Sequence, residues 1–393
     1  MRILFAAAPG YGLMLPIVPL MWAARAAGHE VLVATAAEMV EVGANAGLQT
    51  YDTVPDRDVW RELIDSVASD MAGTEQAEQD DEPDSPFGLF TLTMTERTIA
   101  AGRAFGADLV VSTSDHAAGA LAAVALDVPA LEVGNRISWS MRDPEFRAGR
   151  FAADDDQASR TTRTELGIPD GRPRLVARVD PRVPSMGGLV ADETDPRDGV
   201  AWWPMRFVPY NGGAMVPDWA LARPDRPRVC VTLGTVVPTL SGVGTVSIVL
   251  EALAGMDVDV VLAGGKADLA SIGDLPATVR SVGYLALSSF LPTCSLIVHH
   301  GGSGTTASPL HYGVPQLVLP SFADNHMSAE RVATRGVGLA CQPAEATVPT
   351  VRELVDRLLN EPAFRTAAGE VSAEMATQPS PATVIERAVR ALD

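Results

Sequence analysis

The chain alternates short apolar runs with longer segments of helical pattern. At its start RILFAAA reads as a strand and PGYG (Pro9 to Gly12) as a glycine loop. LPIVPLMWAARAAG then reads as a helix apolar on most faces, with Gly28 as its C-terminal cap, and HEVLVAT as the next strand. The same order returns later: the strand RVCVTLGT (Arg228 to Thr235), a glycine-bearing loop, the helix VSIVLEALAGM and the strand DVDVVLAGG. Strands alternating with helices predict a parallel, doubly wound sheet. Two such starts, at Arg2 and at Arg228, predict an α/β protein of two Rossmann-like domains. The expected boundaries are 1–210 for the N-terminal domain, 211–227 for a linker rich in Pro, Gly and Trp, and 228–376 for the C-terminal domain. In the tail, 377–393, PATVIERAVRALD predicts a last helix packing back on the first domain.

A length of 393 residues suits two domains, and 47% hydrophobic residues are enough for two cores. The formal net charge of −19 disfavours nucleic acid and anionic membranes as partners. It also means that any anion site must be built locally. No apolar segment is long enough to span a bilayer, and the N-terminus reads as strand and loop rather than as a secretory leader. Cys230, Cys294 and Cys341 are far apart and set among apolar residues, so they read as reduced core thiols of a cytoplasmic protein. Gly73 to Gly88 is strongly acidic and reads as a loop. The run Asp154, Asp155, Asp156 could suggest a divalent cation, but no partner ligand accompanies it, and a solvated loop is the expectation.

The chemistry concentrates at His299 to Pro315, HHGGSGTTASPLHYGVP. The apolar run before it, CSLIVHH, reads as a buried parallel strand, and the residues after it as the first turns of a helix. A strand-to-helix junction presents free backbone N–H groups and the positive end of a helix dipole, which suit a phosphate. Glycines allow close approach, and Ser303, Thr305 and Thr306 add hydroxyls. The stretch lacks the lysine of a P-loop and the spacing of a dinucleotide fingerprint. His299 is expected to be a structural strand-end residue, His29 likewise, and His311 and His326 surface or packing residues.

Taken together, the N-terminal segment, VPYNGGAMVPDWAL, VCVTLGT and the His-Gly-Gly-Ser-Gly-Thr stretch followed by Phe-Ala-Asp-Asn resemble bacterial nucleotide-sugar-dependent natural-product glycosyltransferases. That group has the GT-B fold, two Rossmann-like domains facing each other across a cleft. The resemblance implies that His300, Gly302, Ser303, Gly304 and Thr305 hold a pyrophosphate, with Thr235 adding a contact and Gly12 also on the donor side. It places Tyr284 under the base, Leu285 at the base edge, and Asp324 and Asn325 on the sugar hydroxyls. Gly10, Leu13, Met14 and Asn135 fall on the acceptor side. The co-substrate implied is a dTDP- or UDP-sugar, with no metal and no other cofactor, because helix ends and His300 can stabilise the leaving diphosphate. The partners implied are that nucleotide sugar and a small-molecule aglycone; a homodimer and an auxiliary activator protein stay open.

The resemblance breaks at the base. The group's usual general base is a His in the first glycine loop, where this chain has Leu13. Asp115 and His116, at the end of the strand in VVSTSDHAAGA, are the substitutes expected at the cleft edge, with helix capping by Asp115 as the structural alternative. An acidic phenol or an aromatic carbon acceptor, oriented by Glu132, Asn135 and Arg136, would lessen the need for a base. A non-catalytic accessory homologue is a third reading. The usual Glu after Gly-Thr is also missing, since TTASPL carries none. The leading expectation is inverting transfer of a deoxysugar to a polyketide-type or aromatic aglycone. An epimerase or phosphorylase on the same fold would need further carboxylates or a cofactor lysine, and the chain is nearly without lysine.

Overall fold

The structure, a computed structural model, describes residues 1–73, 87–144, 156–232, 234, 244–265, 275, 278–321 and 324–392. Thr235, Asp154 and Asp155 therefore lie outside the described residues, as does most of the acidic stretch that follows Gly73. Asp156 is described: its side chain accepts from the Ser159 N–H and caps the helix Gln157–Leu166, a structural role.

The N-terminal sheet is built from β1 (Arg2–Ala6), β2 (Glu30–Thr35), β3 (Thr50–Asp52), β4 (Leu109–Thr113), β5 (Ala130–Val133), β6 (Leu175–Asp180), β7 (Glu193–Thr194) and β8 (Ala201–Pro204). Its order is β3-β2-β1-β4-β5-β6-β8-β7, parallel except for the β7–β8 pair. The C-terminal sheet has β9 (Arg228–Thr232), β10 (Asp259–Ala263), β11 (Val279–Val282), β12 (Leu296–His299), β13 (Gln316–Val318) and β14 (Gly338–Ala340). Its order, β11-β10-β9-β12-β13-β14, repeats that of the first six strands of the other sheet. Each chain direction reverses beside its first strand, between β1 and β4 and between β9 and β12. Such a switch point opens a crevice at the carboxyl ends of the strands, where this architecture binds its ligands. The central strands are buried on both faces, so their apolar runs are continuous: every residue of β4, β9 and β12 is buried.

One core lies between β1, β2, β4 and the helix Val18–Ala26. Val384, Ile385 and Ala388 of the last helix, Pro381–Arg390, complete it. Ser380 caps that helix by accepting from the Thr383 N–H, and Arg387 lies 4.2 Å over the Trp203 ring. A second core fills the C-terminal sheet. A third joins the two domains: Ile137, Val183, Met186 and Phe207 pack with Ala307, Leu310, Ala329 and Val332. Arg331 reinforces that joint, donating to the Met186 carbonyl at 3.1 Å and to Asp143 at 3.2 Å. The three cysteines are free and buried, and burial pushes the Cys294 thiol up to about 12. No helix among the described residues is long and apolar enough to cross a membrane.

Candidate active site

Between the two sheets lies a cleft of about 780 Å³, with a polar wall from the C-terminal domain and an aromatic wall from the N-terminal one. The polar wall begins where β12 ends. His299 turns inward as expected: its Nε2 meets Gln316 Oε1 at 2.8 Å, and its Nδ1 accepts from the Gly301 N–H at 3.1 Å. Gln316 in turn donates to the Thr306 carbonyl at 3.1 Å. His299 thus ties strand, loop and helix together. Burial and the neighbouring His300 hold it neutral, its pKa pushed down to about 3.

His300 faces the cleft. Its ring is packed between two glycines: a Cβ on Gly234 would lie 2.5 Å from its Cε1, and one on Gly302 would lie 2.4 Å from its Nε2. Gly301, at φ +92, passes so close to the Asn325 backbone that a side chain would stand 2.8 Å from its carbonyl. Gly302 then caps the helix Ser303–Tyr312, whose first N–H groups have no partner within the helix. Burial lowers His300 to about 4, and its Nδ1 is buried without a hydrogen bond. Nδ2 of Asn325 is equally unpartnered. His300 and Asn325 beside an open helix N-terminus make a cleft wall suited to an anion.

Of the residues singled out on the donor side, Gly12, Tyr284, Leu285, His300, Gly302, Ser303, Gly304, Thr305, Asp324 and Asn325 all line this cleft. Ser303 also accepts from the Ile137 N–H at 3.0 Å, so its hydroxyl is partly engaged across the domain joint. Thr232 and Gly234, at the end of β9, line the cleft as well. Thr235, the phosphate contact expected there, lies outside the described residues. Tyr284 donates to the Asn211 carbonyl at 2.9 Å and lies 5.6 Å from the Tyr11 ring across the cleft. Burial pushes its phenol up to about 12, and burial with a hydrogen bond to Glu38 raises Tyr11 further.

The aromatic wall departs from expectation. Leu13 lines the cleft, but Met14, one residue further along a helical turn, points into the first core and is fully buried. Gly10 is behind the wall, where a Cβ would lie 2.8 Å from the Trp60 ring. Asn135 is buried too, donating towards Leu13 O at 3.5 Å and Asp115 at 3.3 Å. The wall itself is Trp60, Leu63, Ile64 and Val67 from the helix Val59–Gly73, together with Phe87 and Trp139. Trp60 and Phe87 each stack on the buried Phe90, at 6.4 and 5.9 Å. These residues were missed. Their signal was an amphipathic helix whose apolar face could equally have been core.

Asp115 and His116 are also corrected. Both sit at the carboxyl end of β4, as expected, but neither lines the cleft and both are 2% exposed. His116 precedes the helix Ala117–Leu126 with both ring nitrogens unpartnered, and burial lowers it to about 4. Asp115 makes no cap bond to that helix; it pairs with Arg136 Nη1 at 2.8 Å.

Cleft and topology together define a two-domain glycosyltransferase. The chain belongs to the erythromycin biosynthesis protein CIII-like family: the family's N-terminal domain matches residues 22–234 and its C-terminal domain residues 247–391. It is 37% identical to elloramycin glycosyltransferase ElmGT of Streptomyces olivaceus, over 98% of this chain and 96% of that one. Among solved structures it resembles the glycosyltransferase SnogD of Streptomyces nogalater, with a TM-score of 0.81, 32% identity and coverage of 100% and 99% of the two chains. It likewise resembles SsfS6 of Streptomyces sp. SF2575 complexed with thymidine diphosphate, at a TM-score of 0.75, 31% identity and 98% coverage of each. The protein is an enzyme that transfers a sugar to a natural-product aglycone, and the accessory reading is left without support.

Proposed function

We propose that the enzyme transfers a deoxysugar from a dTDP-sugar, with inversion at the anomeric carbon, to an oxygen of a flat aromatic aglycone. The observation that carries this is the wall at His300. A neutral imidazole framed by Gly234 and Gly302 lines the cleft at an open helix N-terminus, where it can donate a hydrogen bond to a diphosphate oxygen. The pyrophosphate falls to His300, Gly302, Ser303, Gly304 and Thr305, and the sugar to Asp324 and Asn325. No metal is required, since these donors face the charge that develops on the leaving diphosphate. The relative solved with thymidine diphosphate supports the choice of base.

Across the cleft, Trp60, Phe87 and Trp139 suit a planar polycyclic acceptor. Leu13 fills the place of the usual base, and Asp115 and His116 are buried and do not line the cleft. The acceptor is therefore a phenol or enol acidic enough to lose its proton readily. The same geometry supports a second reading, attack by an electron-rich aromatic carbon. Turnover of dTDP-sugars with phenols of graded acidity tests both: the rate should rise with phenol acidity, and NMR of the product separates O- from C-linkage and reads the anomeric configuration. Equal rates across the series would overturn the self-activating acceptor.

A further inference from the structure

Asp115 is a carboxylate buried behind the cleft wall, and a buried charge needs a built partner. That partner, Arg136, lines the cleft with its side chain 10% exposed. The guanidinium is framed by two rings, 5.1 Å from the Trp139 centroid and 5.9 Å from that of Phe87. Its Nη1 takes Asp115 Oδ2 at 2.8 Å and Asn135 Oδ1 at 3.3 Å, while its Nε stands 3.4 Å from Oδ2 of Asp324. The Ser138 hydroxyl donates to that same oxygen at 2.8 Å. Asp324 belongs to the C-terminal domain, and Asp115, Arg136 and Ser138 belong to the N-terminal one. The chain of charges Asp115–Arg136–Asp324 thus crosses the domain joint. Among the described residues no partner engages Asp324 Oδ1 or Arg136 Nη2. A planar fork can hold two carboxylates at a fixed angle, which an ammonium cannot.

We propose that Arg136 is a positioning residue for the donor's sugar. Anchored by Asp115, it acts with Ser138 to fix one oxygen of Asp324, so that the other is presented to the sugar hydroxyls. The acceptor domain thereby completes the sugar pocket of the donor domain, and Asp115 serves as the anchor of that arrangement rather than as a base. The proposal rests on the nucleotide-sugar reading of the donor wall. It makes a distinction that a merely structural ion pair would not: the sugar should sense Arg136, and the nucleotide diphosphate should not.

Calorimetry with dTDP and with dTDP-glucose, on the full chain, reads this directly. The variant Asp115→Asn/Arg136→Met removes both charges together, leaving neither buried charge unpaired. Its ratio of dTDP-glucose to dTDP affinity should fall about tenfold from wild type, the scale of one charge-assisted hydrogen bond, with dTDP affinity itself nearly unchanged. Ser138→Ala and Arg136→Lys should each lower the same ratio less, and they carry the test if the double variant does not fold. An unchanged ratio, or equal losses for the two ligands, overturns the proposal. If wild-type protein binds neither ligand, the donor reading itself fails, independently of Arg136.

Discussion

The two switch-point junctions of this molecule invite comparison. In each sheet the strand beside the first one, β4 or β12, runs into a short loop and a helix. Each junction holds a buried histidine lowered to about 4 by desolvation, with a ring nitrogen left without a partner. At β12 the loop is His300-Gly301-Gly302, whose glycines let the Asn325 backbone and the His300 ring pack close, with His300, Gly302 and Asn325 lining the cleft. At β4 it is Ser114-Asp115-His116, and Asp115 is buried against Arg136 and Asn135. The same topology therefore gives a wall of the cleft in one domain and a buried ion pair in the other. What differs is side-chain volume and the presence of a partnered charge.

The largest effect expected at the β4 junction is on stability. Arg136→Met alone strands the Asp115 carboxylate and should destabilise the protein by about 3–5 kcal/mol in urea unfolding. Adding Asp115→Asn should recover most of the loss; no recovery would mean that Arg136 matters for packing rather than charge.

Acid should act on both junctions, and more strongly at β12, where His299 is lowered as well. A histidine whose folded pKa is about 4, against 6.5 when free, takes up its proton first in the unfolded chain. Its contribution is complete above pH 6.5 and disappears as the pH falls towards 4, by roughly 3 kcal/mol for each fully shifted group. Unfolding midpoints followed from pH 7 to 4 should fall, and His116→Leu should flatten the curve. A pH-independent midpoint would show that these rings are more hydrated than their burial suggests.

At the β12 junction the effect should appear in binding instead. His300→Ala should weaken dTDP by about ten- to a hundred-fold, worth 1.5–3 kcal/mol, with the fold intact. Gly302→Ala, whose Cβ would displace the His300 ring, should match it. Unchanged dTDP affinity in both folded variants would remove this junction from the donor site.

Smaller still is the gain expected from Leu13→His. It places a base on the cleft wall and should raise turnover of weakly acidic phenols, up to the order of 10²-fold if the imidazole is well placed. Last is an expected absence of effect: EDTA should leave turnover unchanged, and loss with recovery on Mg²⁺ would return attention to Asp154 and its neighbours.

The sequence by itself determined the two doubly wound domains and the glycine-rich wall of the cleft after β12. Both follow from local signals, continuous apolar strands and a run of glycines between strand and helix, so neighbours along the chain carry the information. His299 as a structural residue and His300 as the cleft-facing one were legible for the same reason. Met14, Gly10 and Asn135 were not, because one step along a helical turn or one layer of packing separates core from cleft. Nor was the aromatic wall, since Trp60, Phe87 and Trp139 come from three separate segments and an apolar helix face looks the same whether it meets a core or a cavity. The fate of Asp115 was decided only by tertiary structure. A carboxylate at a strand end can be a base, a cap or an anchor, and which of these it becomes depends on a guanidinium twenty-one residues away and on a second carboxylate brought across from the other domain.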